Sequence, residues 1–195
     1  MMHVLFVIDP LPGLKAYKDS SVAMMRALVA RGHRLSVALQ GGLFIEAGQV
    51  FAHATPISFV PNADLHGHAW WHDESIAKDV PLQEFSAVLM RKDPPFDNEY
   101  VYSTYILEAA QNQGALVVND PRSLRDCNEK IFATQFPQCC PPVLVSRDML
   151  RLREFHHSHG DVIFKPLDGM GGSRIFRCRH DDPNVGVILE TLTEF

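Results

Sequence analysis

No run of apolar residues in this chain approaches the roughly 18 that a membrane-spanning helix needs, so no transmembrane helix is expected. Positive charge is also scarce. Lysine and arginine number 18 against 23 aspartates and glutamates, for a net charge of -5. With no basic stripe, nucleic acid is not expected as a partner. The opening MMHVLFVIDPLPG has no early lysine or arginine, and Asp9 cuts its apolar run short. It does not read as a secretion signal. The four cysteines are Cys127, the neighbours Cys139 and Cys140, and Cys178. They lack metal-ligand or C-x-x-C spacing and read as reduced thiols of a cytoplasmic protein. No internal repeat, low-complexity segment or long linker divides the 195 residues.

What is present suits an ordinary globular chain. Hydrophobic residues make up 46% and charged residues 21%, enough for a packed core. The length fits one large domain or two small ones. HVLFVID (residues 3–9) is a continuous apolar run, the pattern of a strand buried on both faces. KDSSVAMMRALVARGH reads as a helix with Asp19 or Ser20 as its cap and Gly32 at its end. RLSVALQ follows as a strand. Strand, helix, strand in this order predicts a right-handed crossover and a parallel sheet. The first loop, DPLPG, lacks the G-x-G-x-x-G of dinucleotide-binding folds, so no NAD or FAD is expected there.

Residues 43–60 alternate around Ala47-Gly48 and predict a hairpin at a sheet edge. Residues 61–75, including Trp70 and Trp71, read as a loop. FSAVLMRKDPPFD returns to a buried strand ending near Arg91. A helix closed by Gly114 and the strand ALVVND complete an α/β unit near residue 120. Beyond it, residues 123–136 predict one helix and PPVLVS (141–146) a strand. DMLRLREFHHSHG predicts a helix ending at Gly160, and a last helix begins after Pro183.

The stretch DVIFKPLDGMGGSRIFRCR (residues 161–179) carries the chemistry. Lys165 closes an apolar run and reads as a buried cation. Three glycines follow, and SRIFRCR then alternates with period two. A Walker A loop is excluded, because its lysine follows the glycines and leads into a helix. The glycines therefore join two neighbouring strands. Glycine permits positive φ and removes Cβ, so successive N–H groups can converge on an anion. Taken alone, the loop fits either a phosphate site or a flexible hairpin turn. Lys130 on its predicted helix reads as a solvated lysine. Arg91, just beyond a buried strand, can hold a substrate carboxylate bidentately or pair with Asp93 or Asp97. Asp19 and Ser20 serve as helix caps. The histidines of HHSH (His156, His157, His159) sit where a helix C-terminus favours imidazolium, and no partner cluster for a metal accompanies them.

DP…KDSS.AM, MRKDPPFD, RSLRDCNEK and KPLDGMGG follow one another in this order along the chain. On these motifs the chain resembles the bacterial-type glutathione synthetases of the ATP-grasp superfamily, from about residue 3 to residue 195. The resemblance implies an N-terminal parallel-sheet (pre-ATP-grasp) domain, residues 1–121, followed by the start of an ATP-grasp domain, residues 122–195, incomplete on its C-terminal side. It implies that Lys130 and Lys165 contact ATP, and that Gly169, Met170, Gly171 and Gly172 cover its phosphates. Arg91, Asp93, Asp19 and Ser20 become candidates for the substrate side.

The implied reaction is ATP-dependent ligation of γ-glutamylcysteine and glycine through an acyl phosphate. Its partners are these small molecules, with no nucleic acid and no membrane. The resemblance also implies Mg2+, with its ligands in the part that follows, none in this chain, and homo-oligomers among full-length relatives. An incomplete ATP-grasp domain predicts little activity alone and an apolar patch beside the Lys165 strands. Two other readings stay open: another ATP-grasp carboxylate–amine ligase, and a non-catalytic remnant that binds a nucleotide or a partner.

Overall fold

The computed structural model describes residues 1–169 and 171–194. The chain forms two compact units, Met1–Asp93 with Asn98–Arg125, and Pro94–Asp97 with the chain from Asp126 onward.

The first unit is built on one sheet. Its elements are β1 (His3–Val7), α1 (Ser20–Val29), β2 (Arg34–Ala38), β3 (Leu43–Glu46), β4 (Gln49–Phe59), β5 (Trp71–Asp73), β6 (Lys78–Pro81), β7 (Ala87–Met90), α2 (Asn98–Asn112), β8 (Val117–Val118) and α3 (Pro121–Asp126). The strand order is β3-β4-β2-β1-β7-β8, with β5 and β6 also paired to β4. β1 runs parallel to β2 and β7, and β7 parallel to β8. This is the parallel core expected from the strand–helix–strand order. β4 extends it with antiparallel pairings to β2, β3, β5 and β6.

Residues 4–7 of β1 are all buried, which explains why that strand lacks polar alternation. Asp19 caps α1, its carboxylate accepting from the N–H groups of Ser21 (2.7 Å) and Val22 (3.0 Å). The cap directs Val22 and Met25 into the core beside Val4, Phe6, Ile8, Leu35 and Ile57. At the β3–β4 turn Ala47 and Gly48 both take positive φ, 49° and 82°. Both central residues of a tight hairpin turn of this kind need that conformation.

The stretch read as a loop at residues 61–75 contains β5, whose Trp71 pairs with Phe59 and Asp73 with Ile57. Just before it, Trp70 is only 1% exposed and belongs to the main core. β6, KDVP, has no apolar alternation and owes its strand to pairing with β4.

His3 adds a polar element to this core. Its Nε2 lies 2.9 Å from the hydroxyl of buried Ser36, and its ring meets Phe85 edge-on. Burial, then the nearby Arg34, holds the imidazole below its ordinary value of 6.5, against a small opposing effect of Glu74. The unfolded chain therefore takes up this proton more readily than the folded one. Stability is unaffected by His3 above about pH 7 and falls as pH drops below 6.5 towards the depressed folded value. Thermal unfolding at about pH 7.5 and pH 5.5 should show part of the acid loss disappearing in His3→Gln. An equal loss in both proteins would refute this account.

The second unit holds α4 (Glu129–Phe132), α5 (Met149–His159), β9 (Asp161–Phe164), β10 (Phe176–Arg179) and α6 (Val185–Thr193). β9 and β10 pair antiparallel, Phe164 opposite Phe176. Val162, Phe164 and Cys178 face a small core with Leu152 of α5 and Ile188 and Leu189 of α6. On the opposite side of β9, Ile163 is exposed. Asp148 caps α5, and Gly160 ends it at φ 74°.

Two expectations fail in this unit. The helix predicted over residues 123–136 is broken between Asp126 and Glu129, because the Asn128 side chain accepts from the N–H groups of Lys130 and Ile131. That local bond replaces a continuing helical one. Residues 141–146 form no strand. Val143, Leu144 and Val145 are exposed and pair with nothing in the two-stranded β9–β10 sheet. An apolar run becomes a strand only where a ladder accepts it.

Candidate functional site

Candidate residues gather in two places, one in each unit. In the first unit they meet at the carboxyl ends of β1 and β7, where open α/β sheets bind ligands. The Arg91 N–H donates to the Val7 carbonyl (2.7 Å), so the chain leaving β7 stays beside β1. The Arg91 guanidinium reaches the start of α1. Nε donates to the Ser21 hydroxyl and Nη2 to the Ser20 hydroxyl, each at 2.9 Å. These two hydroxyls hold the guanidinium, and Arg91 also lies near enough to Asp93 to act on its carboxyl. A guanidinium has five donors, so two hydroxyls fix its plane without consuming it.

Asp19 is the α1 cap, while Ser20 is the first helical residue and an acceptor for Arg91. Asp9 anchors the other side. Its carboxylate pairs with Lys92 Nζ at 2.9 Å and accepts from the Asp93 N–H at 2.9 Å. The Asp93 carboxyl is raised above its usual range. Partial desolvation is the main cause, followed by the Asp9 and Asp19 carboxylates, and Lys92 and Arg91 act against it. Arg91, Asp93, Asp19 and Ser20 are thus brought together. Ser21, Asp9 and Lys92 were missed. The run D-S-S at the helix start was the available signal for Ser21, since only the tertiary fold shows which hydroxyl faces Arg91.

In the second unit the glycine segment leaves β9 and returns in β10, the strand–loop–strand order expected. β9 ends at Phe164, one residue before Lys165, and Lys165 is exposed rather than buried. Strand alternation explains this: Val162 and Phe164 point inward, so Ile163 and Lys165 point out. Among the described residues its ammonium has no hydrogen-bond or ion-pair partner.

Lys130 behaves in the opposite way. Its side chain is 12% exposed, and Nζ donates to the Gly169 carbonyl (2.7 Å), the Leu167 carbonyl (3.2 Å) and the Glu129 carboxylate (3.0 Å). The solvated helix lysine expected from the residues alone is in fact held against the glycine segment. A Cβ on Gly169 would stand 3.2 Å from Pro166 Cγ, so the chain folds tightly there. Gly171 and Gly172 take φ of 65° and 82°, which L side chains rarely adopt. Met170 lies outside the described residues.

These residues are of the kind that suits a polyphosphate: one exposed cation, one cation held at the glycine segment, and two glycines at positive φ. The histidines serve packing and local bonds. His156 Nε2 donates to the Arg179 carbonyl at 2.9 Å, and His159 Nδ1 to Phe155 at 2.9 Å. Among the described residues no three His, Cys, Asp or Glu side chains gather in a group suited to a metal ion. No helix among them is long and apolar enough to cross a membrane.

The fold defines the class first. Comparison with solved structures finds D-alanyl-alanine synthetase A from Vibrio cholerae at a TM-score of 0.57 and 11% identity, covering all of this chain and 56% of that one. It also finds the ATP-grasp ligase PsnB complexed with a minimal precursor, at 0.52 and 17%, covering all of this chain and 62% of that one. At such identities the likeness establishes the fold alone.

The family is then identified by sequence. The family model "Prokaryotic glutathione synthetase, N-terminal domain" matches residues 2–125, and "Prokaryotic glutathione synthetase, ATP-grasp domain" matches residues 129–195. The chain belongs to the prokaryotic glutathione synthetase family. It is 61% identical to a glutathione synthetase of Bordetella parapertussis over 99% of this chain and 61% of the relative. It is 54% identical to one of Pseudomonas aeruginosa over 96% and 58%. The chain thus spans about three fifths of the length of the curated relatives it matches.

Proposed function

We propose that this chain is part of a glutathione synthetase that joins γ-glutamylcysteine to glycine at the expense of ATP, releasing glutathione, ADP and phosphate. In this reading residues 1–121 form the substrate-side domain and residues 122–195 the start of the ATP-grasp domain. The observation that carries it is the contact of Lys130 Nζ with the Leu167 and Gly169 carbonyls. It sets a fixed cation at a glycine segment in a chain whose two family domains follow one another in order. A cytoplasmic location and self-association belong to the same proposal.

ATP, when bound, supplies the phosphoryl group that activates the substrate carboxylate. Lys130 and Lys165 neutralise phosphate charge, and the backbone of Gly169, Gly171 and Gly172 lies close to the phosphates. Phosphoryl transfer needs positioning and charge neutralisation more than covalent help from a protein. On the substrate side Arg91 binds a carboxylate with its plane set by Ser20 and Ser21. Asp19 fixes that helix start, and Asp93 offers an acceptor beside it.

The decisive assay is phosphate release by a synthetase that contains these residues together with the part that follows them, given Mg-ATP, γ-glutamylcysteine and glycine, each omitted in turn, beside this chain alone, which is expected to release little. Release requiring all three, and lost when glycine is replaced by other amino acids, is the expected result. Release with another amine but not glycine would point instead to a different carboxylate–amine ligase.

A further inference from the structure

Asn128 breaks the helix expected over residues 123–136, and its side chain works in two directions. Oδ1 accepts from the N–H groups of Lys130 (3.1 Å) and Ile131 (3.2 Å), which starts α4. Nδ2 donates to the Leu167 carbonyl, 39 residues further along, at 3.3 Å. Lys130 Nζ shares that same carbonyl and adds the one at Gly169. The Phe96 N–H donates to the intervening Asp168 carbonyl at 3.2 Å. Three consecutive carbonyls are therefore held, two of them by residues 128 and 130.

The residue type is informative. Serine and aspartate cap helices about as well as asparagine, and threonine somewhat less well. Of these four, only asparagine also carries an NH2 group on the capping side chain. Capping alone does not call for asparagine here, whereas the bond to Leu167 does. A lysine stem is flexible, and its ammonium holds one place only if both its backbone and its acceptors are fixed. Asn128 fixes both: the N–H of Lys130 at one end, and the carbonyl that Lys130 binds at the other.

We propose that Asn128 is the positioning residue for Lys130, setting its ammonium beside the glycine segment for a polyphosphate ligand. The third donor of Lys130 goes to Glu129, whose side chain is 69% exposed. That contact is the one an incoming phosphate can replace without moving backbone.

The inference rests on the nucleotide reading for its binding arm, so the test has two arms. Asn128→Ser keeps a capping oxygen and removes the amide donor, while Asn128→Ala removes both. Without ligand, the serine variant should stay within about 2 °C of the wild-type Tm. Hydrogen exchange at the Phe96 N–H, which donates to the Asp168 carbonyl, should speed up about fivefold in that variant. Its Kd for a non-hydrolysable ATP analogue with magnesium should rise about three- to tenfold, as for one net hydrogen bond. The alanine variant should lose thermal stability in addition. Wild-type exchange and affinity in the serine variant would overturn the proposal. So would a Tm loss in serine equal to that in alanine, since Asn128 would then act only as a cap. If the wild-type protein itself fails to bind the analogue, the nucleotide reading falls, and the exchange rates alone decide whether Asn128 holds the segment.

Discussion

In a full-length enzyme carrying these residues, replacing Lys165 by alanine is expected to slow ATP-dependent phosphate release by about two to three orders of magnitude, the usual effect of deleting one donor at a transferring group. The fold should not notice. Lys165 is exposed, follows the last residue of β9, and among the described residues its ammonium has no partner. Surface substitutions of that kind usually change stability by less than about 0.5 kcal/mol. Activity and stability are thus expected to separate cleanly at this position. Lys165→Arg keeps the charge but not the compact ammonium, and should recover only part of the rate. Lys130→Ala makes the contrast, because three bonds hold that lysine and its loss should also loosen the glycine segment. The check is phosphate release alongside thermal unfolding for all three variants. A wild-type rate in Lys165→Ala would remove this residue from the phosphate side.

Trp70→Ala should produce the largest loss of stability, about 3–5 kcal/mol for a fully buried tryptophan. Net stabilities of natural domains are only about 5–15 kcal/mol, so the first unit could become marginal. Trp70 is 1% exposed and sits in the core formed by Val4, Phe6, Ile8, Met25, Leu35 and Ile57. Its ring lies 5.2 Å from that of Phe59 and 4.8 Å from that of Trp71. Removing it opens a cavity beneath β4 that these neighbours cannot all close. Denaturant unfolding gives the answer through a lower midpoint at unchanged slope. Trp71→Ala, at a partly buried site, should cost clearly less. Equal midpoints for Trp70→Ala and the wild-type protein would mean that the core does not depend on this ring.

The sequence alone determined the elements that depend on local chemistry. The apolar run at residues 3–7 made a buried strand, Asp19 capped α1, and Ala47-Gly48 turned a hairpin. The strand–glycine–strand order at residues 161–179 was readable as well, because period-two alternation after the glycines excludes a helix. The phosphate reading of that stretch came from its resemblance to a family, since spacing alone left a plain hairpin open.

Tertiary structure decided the rest, and for one recurrent reason: the deciding partner lies far away in the chain. β5 and β6 are strands because β4 offers them a ladder. Residues 141–146 have the composition of a strand and lack one because no ladder accepts them. Arg91 donates to Ser20 and Ser21, about 70 residues earlier. Lys165 faces solvent and Lys130 does not, the reverse of what their local contexts suggested. A lysine's place follows from which carbonyls reach its ammonium. For Lys130 those belong to residues 167 and 169, which no local pattern around residue 130 could reveal.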